Sequence, residues 1–158
     1  MDNKNNIDNK VVDDFGKEWK AFNHQDLENN TLESAFDSYF HFFPFNDLKD
    51  AEGFDMGCGS GRWAKFVAKK VGFLNCIDPS HMALDQAKLN LADAINYSLE
   101  CAGVDNNSLK DESQDFGYSL GVLHHIPDTT SALQSCAKKL KSGAPFLLYL
   151  YYRFDNKP

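Results

Sequence analysis

Proline is scarce, five in 158 residues, and no uninterrupted apolar run approaches the roughly 20 residues that a membrane-spanning helix needs, so long proline-rich linkers and transmembrane helices are both excluded. The N-terminus is rich in Asn and Asp and has no hydrophobic signal core, which points to a cytoplasmic protein. Cysteine is equally uninformative as a framework. Cys58, Cys76, Cys101 and Cys136 are scattered, with no C-x-x-C pair and no histidines at metal-ligand spacing, so neither a metal site nor a disulfide scaffold is expected. Cys76 and Cys101 fall in apolar strand-like runs and Cys136 on an apolar helix face, where reduced buried thiols are the default. Positive charge is also short. The net charge is −7, and no Lys/Arg cluster interleaves with aromatics, which argues against a nucleic-acid partner.

What is present is one glycine-rich turn. Gly53 to Trp63 reads G-F-D-M-G-C-G-S-G-R-W, an apolar approach ending at Asp55 and Met56, then glycines at 57, 59 and 61, then a helical pattern opened by Arg62 and Trp63. Glycines in a strand-to-helix turn can take φ > 0 and let a ligand lie against the backbone. The register G-x-G-x-G puts Arg62 where a dinucleotide fingerprint wants its last small residue, which disfavours a pyrophosphate. No Gly-Lys-Ser/Thr follows, so a phosphate-binding P-loop is excluded.

The length suits a single domain. Residues 1–10 read as a disordered polar tail. Residues 11–50 read as a helical cap, with Phe15, Trp19 and Phe22 on one stripe and Leu32, Phe36, Phe40 and Phe43 on another. Such helices pack their aromatic faces on the domain, and a further role as a lid carrying Phe15, Trp19 or Tyr39 is compatible with that. Residues 51–158 form the core, in which strands alternate with helices: strands over 53–56, 73–77, 97–102, 115–120 and 146–152, and helices over 62–71, from a cap at Ser80 through Leu91, and around Ala132 to Leu140. This order predicts right-handed β-α-β crossovers and a three-layer Rossmann-like α/β/α fold with a mostly parallel sheet of about five strands.

In such sheets ligands bind outside the carboxyl ends of the strands. Strand two ends at Asp78-Pro79-Ser80, and a carboxylate there suits a vicinal diol, because its two oxygens accept both O–H groups. The same acid could instead serve the dipole of the following helix. Strand three ends in C-A-G-V-D, where Asp105 is either an acceptor for an exocyclic amino group, with Val104 covering a purine edge, or simply a turn former. Strand four ends in D-F-G-Y-S-L-G-V-L-H-H-I-P-D, with His124 and His125 the only histidines at that end.

Together D-x-G-C-G-S-G, Asp78, the strand-four end and the later L-K-S-G-A-P-F-L-L resemble, over residues 53–152, the class I S-adenosylmethionine-dependent methyltransferases, particularly a bacterial small-molecule branch. Ser142 and Ala144 replace the commoner residues of L-K-P-G-G. The resemblance implies S-adenosyl-L-methionine as cofactor and S-adenosyl-L-homocysteine as product. The cofactor set it implies is Asp55, Gly57, Cys58, Gly59, Gly61, Arg62, Asp78, Pro79, Met82, Val104, Asp105, Leu120 and Gly121. It implies a small-molecule acceptor and places His125, His124 and Tyr118 as catalytic candidates, one histidine serving as base or orienting group because imidazole titrates near neutral pH. Paired histidines before Ile-Pro are equally suited to holding a loop. Two other readings stay open: a non-catalytic cofactor-binding or assembly subunit, and a nicotinamide-dependent oxidoreductase, which Arg62 disfavours.

Family members usually continue past strand five into a helix and hairpin. F-L-L-Y-L-Y-Y is therefore expected as a bare apolar edge. A fragment, cover from the N-terminal helices, or a homodimer through that edge would each account for it.

Overall fold

The computed structural model describes residues 6–10, 12–14 and 29–151. Five strands form one sheet in the order β3-β2-β1-β4-β5, every neighbouring pair parallel. They are β1 (Glu52–Met56), β2 (Phe73–Asp78), β3 (Tyr97–Cys101), β4 (Phe116–Leu120) and β5 (Phe146–Tyr149). The helices are α1 (Asn29–Phe40), α2 (Ala64–Val67), α3 (His81–Asn90) and α4 (Thr129–Lys139). The order of strands reverses beside β1, between its neighbours β2 and β4, so that is where a ligand crevice opens.

Both faces of the sheet are covered, as expected of parallel strands. On one face Phe36 and Phe40 of α1, Val67 of α2 and Leu84 of α3 pack on Leu74, Cys76, Phe116 and Tyr118. On the other, Ala132 and Cys136 of α4 pack with Phe54, Met56, Ile77 and Leu123. The central strands lock reciprocally. Gly53 pairs with Phe116 and Phe54 with Gly117. A Cβ at Gly53 would lie 2.5 Å from the Phe116 ring, and one at Gly117 would run into the Phe54 ring. Each ring thus fills the space its partner glycine leaves.

Side-chain caps start two of the helices, at Ser80 as the sequence placed it and at Asp128, ahead of the apolar stripe that begins at Ala132. Ser80 Oγ accepts the N–H of Ala83 at 3.3 Å, and Asp128 Oδ1 accepts that of Ser131 at 2.9 Å, each satisfying a donor with no intrahelical partner. Three expectations need correction. The helix expected over 62–71 is regular only over Ala64–Val67. Lys70 N–H already bonds Val67 C=O in a tightened turn, and at Gly72 the chain passes so close to Asp50 that a Cβ would lie 2.6 Å from its carbonyl carbon. β5 stops at Tyr149 rather than 152, because Gly121 (φ 75°) turns β4 away just after the last ladder bond, Gly121 N–H to Tyr149 C=O at 2.8 Å. Cys101 is exposed at the end of edge strand β3, whereas Cys58, Cys76 and Cys136 are buried. Phe15, Trp19, Phe22 and Tyr152 lie outside the described residues.

Candidate active site

A cavity of about 450 Å³ opens along the carboxyl ends of the strands. Met56 to Gly59 supply its floor from β1, Ile77 to Ser80 one wall from β2, and Ala102 to Val104 the β3 end. Leu120 to Leu123, His125 and Tyr151 close the β4–β5 end.

The floor depends on glycine. Gly57, Gly59 and Gly61 have φ of 80°, 53° and 72°. At Gly57 a Cβ would also run into Val122, so this turn admits no side chain and offers its backbone to the cavity. The turn is pinned to β2 on both sides: Gly57 and Cys58 N–H donate to Ile77 C=O at 2.8 and 3.0 Å, and Gly59 N–H donates to Asp78 Oδ2 at 2.9 Å. Asp78 Oδ1 accepts Ser80 N–H at 2.9 Å. Burial raises the Asp78 carboxyl above the usual range, and these two N–H donors partly offset the rise. A carboxylate has about four acceptor positions, so two remain for a ligand diol.

The sequence-based site divides into residues the cavity gathers and residues it does not. Gly57, Cys58, Gly59, Arg62, Asp78, Pro79, Val104, Leu120, Gly121 and His125 line it. Gly61 supports the turn from behind, where a Cβ would meet Ala87 at 3.2 Å. Met82 does not line it. It sits on the exposed side of α3, whose inner face is Ala83, Leu84 and Ala87. Asp105 also turns out of it. Asn106 Oδ1 accepts Gly103 N–H at 2.6 Å and Asn107 Nδ2 donates to Val104 C=O at 2.8 Å, a tight loop that points Asp105 toward α4, where it accepts Ser135 Oγ–H at 2.5 Å.

Asp55 and Tyr118 lie beneath the site, not in it. They are register partners on β1 and β4, and both are buried. Burial pushes the Asp55 carboxyl up to about 8, so it is mostly neutral at pH 7. Tyr118 Oη and Asp55 Oδ2 lie near enough to perturb one another, though neither has a hydrogen bond of good geometry. Tyr118 instead packs edge-on to Phe40, with centroids 5.2 Å apart. That removes it from contact with any substrate in the cavity.

The histidines occupy a 3-10 turn, Leu123–His125, after β4. Their rings lie 4.0 Å apart. His125 faces the cavity, whereas His124 packs edge-on to Tyr151 at 4.9 Å with both ring nitrogens buried and without hydrogen-bond partners. Desolvation lowers both below the usual imidazole range, and the charge of His125 lowers His124 further.

Two contributions to the cavity were missed by sequence reasoning. Asn6, Ile7, Asp8 and Val12, expected in a disordered tail or at its boundary, line the cavity. Asn6 clasps the α4 cap, donating from Nδ2 to Asp128 C=O at 3.0 Å and accepting Asp128 N–H at Oδ1 at 2.8 Å. The other is Tyr151, which lies over Gly121, its ring 3.3 Å from where a Cβ would be. The exposed Asn-rich tail carried no periodic signal for the first, and Tyr151 was absorbed in an apolar strand run.

A glycine turn clamped by a strand-two carboxylate, open to an apolar slot at Ala102 and Val104, fits a nucleoside with an extended thioether tail. A family model described as a methyltransferase domain matches residues 54–148. The chain belongs to the class I S-adenosylmethionine-dependent methyltransferases. This methyltransferase chain is 32% identical over 99 residues to a ubiquinone biosynthesis O-methyltransferase of Nitrosomonas europaea, covering 61% of this chain and 42% of that protein. It is also 32% identical over 111 residues to a tRNA U34 carboxymethyltransferase of Aliarcobacter butzleri, covering 66% and 35% respectively. It thus spans less than half the length of these curated relatives. In fold it is similar to an S-adenosylmethionine-dependent methyltransferase of Mesorhizobium loti, with TM-score 0.63, 22% identity and coverage of 74% and 54%. It is likewise similar to a phosphoethanolamine N-methyltransferase of Haemonchus contortus solved with phosphoethanolamine and S-adenosylhomocysteine, with TM-score 0.67, 15% identity and coverage of 85% and 31%. The cofactor of the family is S-adenosylmethionine. No helix among the described residues is long and apolar enough to cross a membrane, and none of their His, Cys, Asp and Glu residues cluster in a way that could hold a metal ion.

Proposed function

We propose that the chain binds S-adenosylmethionine on the glycine turn and carries a methyl group to a small-molecule acceptor at the β4–β5 end of the cavity. The carrying observation is the Asp78 carboxylate, clamped by Gly59 and Ser80 at the edge of a cavity that continues to His125. When bound, the cofactor supplies an electrophilic methyl on a sulfonium. The chain's own part is alignment: the turn takes the cofactor's tail, Asp78 its ribose hydroxyls, and Val104 its purine face. Orientation of this kind is worth up to about 7–11 kcal/mol in well-aligned systems. As the new bond forms to an acceptor oxygen or nitrogen, His125 takes the acceptor's proton on a ring nitrogen. Its depressed affinity for protons keeps it neutral, and so able to do this, at pH 7. His124 is a positioning residue, holding its neighbour from behind.

The outer edge of β5 has no strand partner among the described residues, and Tyr149 and Leu150, at its end and just past it, are exposed. Self-association of two copies through this edge belongs to the proposal. A strictly monomeric protein in concentration-dependent sedimentation would remove that part alone.

Titration calorimetry with S-adenosylhomocysteine, and NADH as control, tests the main reading. Micromolar binding of the first and none of the second is expected. Binding of NADH alone would overturn it.

A further inference from the structure

Between Met1 and Val11 the chain holds a single apolar residue, Ile7, among Asn, Asp and Lys. It does not stand in solvent. Ile7 is half-buried and lines the cavity, with its Cδ1 only 2.7 Å from where a Cβ on Gly103 would be, so the bare backbone at 103 is what lets it lie against the end of β3.

Its two neighbours hold it there. Asn6 has φ of 44°, a left-handed backbone that Asn tolerates better than most residues. In that conformation its carboxamide pairs with both the C=O and the N–H of Asp128, at 3.0 and 2.8 Å. Asp8 opens a helical turn: its Oδ1 accepts the Lys10 N–H at 3.0 Å and its C=O the Val12 N–H at 3.0 Å, which returns Val12 to the cavity wall. One residue turns the chain, the next enters the slot, and the third turns the chain back.

The loops that follow β3 and β4 come together at this place, on the α4 side of the sheet. Ala102 and Val104 of the first loop belong to the same apolar cluster as Leu123 and Ile126 of the second. All four line the cavity beside Ile7 and Val12. The Asn6 pair therefore ties the N-terminal segment to the loop that carries His125.

We infer that Ile7 and Val12 form the outer wall of the purine slot, and that Asn6, as a positioning residue, latches this wall over the cofactor through its pair with the Asp128 backbone. The inference rests on the S-adenosylmethionine reading and adds residues and a step to it, because the cofactor then leaves by breaking the latch. Aliphatic side chains laid on a flat, uncharged ring remove its faces from water, which is favourable in proportion to the area covered. The latch is two ordinary hydrogen bonds at the surface, weak enough to open at each exchange.

The test uses S-adenosylhomocysteine and 5′-methylthioadenosine, which keeps the adenosine but lacks the amino-acid tail. Both are titrated calorimetrically, and release is timed by stopped-flow tryptophan fluorescence, Trp63 being part of the cavity lining. Ile7→Ala is expected to weaken both ligands by a similar factor, about tenfold. Asn6→Gly keeps the left-handed backbone and removes the carboxamide, so release of S-adenosylhomocysteine should quicken about tenfold with association no slower. Asn6→Asp restores part of the loss, since an oxygen still accepts the Asp128 N–H while the donor to its C=O is gone. Unchanged thermal transitions without ligand certify that the variants fold, and Ile7→Val, one methyl group smaller, replaces Ile7→Ala if that variant does not.

Unchanged affinity and release in both Ile7→Ala and Asn6→Gly overturn the proposal. Tighter binding in either also overturns it, because the segment would then be a competitor for the slot. Loss confined to S-adenosylhomocysteine in Ile7→Ala does the same, since it would set Ile7 against the tail. Each of these outcomes leaves the cofactor reading standing without the wall. Failure of the wild-type chain to bind either ligand fails both readings.

Discussion

The Asp78 carboxylate accepts the backbone N–H of Gly59 at 2.9 Å, across 19 positions of chain. One acid thereby shapes the glycine turn and presents its remaining lone pairs to the cavity. Asp78→Ala is expected to lower S-adenosylhomocysteine affinity about 10- to 100-fold, the effect of losing about 1.5–3 kcal/mol of bonding to a charged group. Asp78→Asn keeps the volume but turns an amide N–H₂ toward either the Gly59 or the Ser80 N–H, so it should rescue little. Calorimetry on both variants decides the matter, and wild-type affinity in Asp78→Ala would remove the ribose assignment.

Asp55 is the buried acid whose cost grows with pH. Its carboxyl is pushed up to about 8 in the fold, against about 4 in the unfolded chain, so between those values the folded state holds the extra proton. Stability from this group is thus full below pH 4 and declines as pH rises toward 8, by at most about 1.4 kcal/mol per unit. Asp55→Asn removes the titration. Melting temperature relative to wild type should rise steadily from pH 5 to pH 8, and a constant difference over that range would contradict the burial argument.

The two histidines should titrate below 6.5 in a proton NMR experiment, since burial disfavours their charged forms. Depressed values mean that their contribution to stability is complete above 6.5 and falls as pH drops through the folded-state midpoints. Removing His125 as His125→Gln takes away a like charge, so the His124 midpoint should move up. Once an acceptor is in hand, the same substitution should cut turnover by roughly 10²- to 10⁴-fold with cofactor affinity unchanged.

At Gly57 two penalties combine. A side chain meets a left-handed backbone worth about 1–2 kcal/mol against it, and overlaps Val122 as well. Gly57→Ala should lower the melting temperature and abolish S-adenosylhomocysteine binding. Adding Val122→Ala should recover part of the stability, because it relieves the overlap, but none of the backbone strain. Full recovery would show that the overlap is the whole cost.

The succession of strands and helices and the glycine turn were legible because they depend on short-range patterns: apolar runs, a helix cap at Ser80, and glycines at 57, 59 and 61. The place of Asp78 at the cavity was legible because it stands at the carboxyl end of a strand. Asp105 and Tyr118 were not placed correctly, for different reasons. The direction of Asp105 is set by side-chain bonds from Asn106 and Asn107, which a motif does not encode. Tyr118 alternates with its neighbours in β4, and which face of the sheet it takes depends on the register against Asp55. The Asn6 clasp on Asp128 joins residues 122 positions apart, beyond the reach of any local pattern.

The reciprocal fit of Gly53 under Phe116 and Gly117 beside Phe54 has a consequence for how this sequence can drift. The two pairs lie on opposite faces of the sheet, and each pair shares one block of space, so neither glycine can gain a side chain while the ring beside it stays. A lineage that placed alanine at 53 would first need a smaller residue at 116, and the same holds for 117 and 54. Natural variants of this domain should therefore show these positions exchanging size in pairs, large for small across the strand, while the residues on either side vary independently.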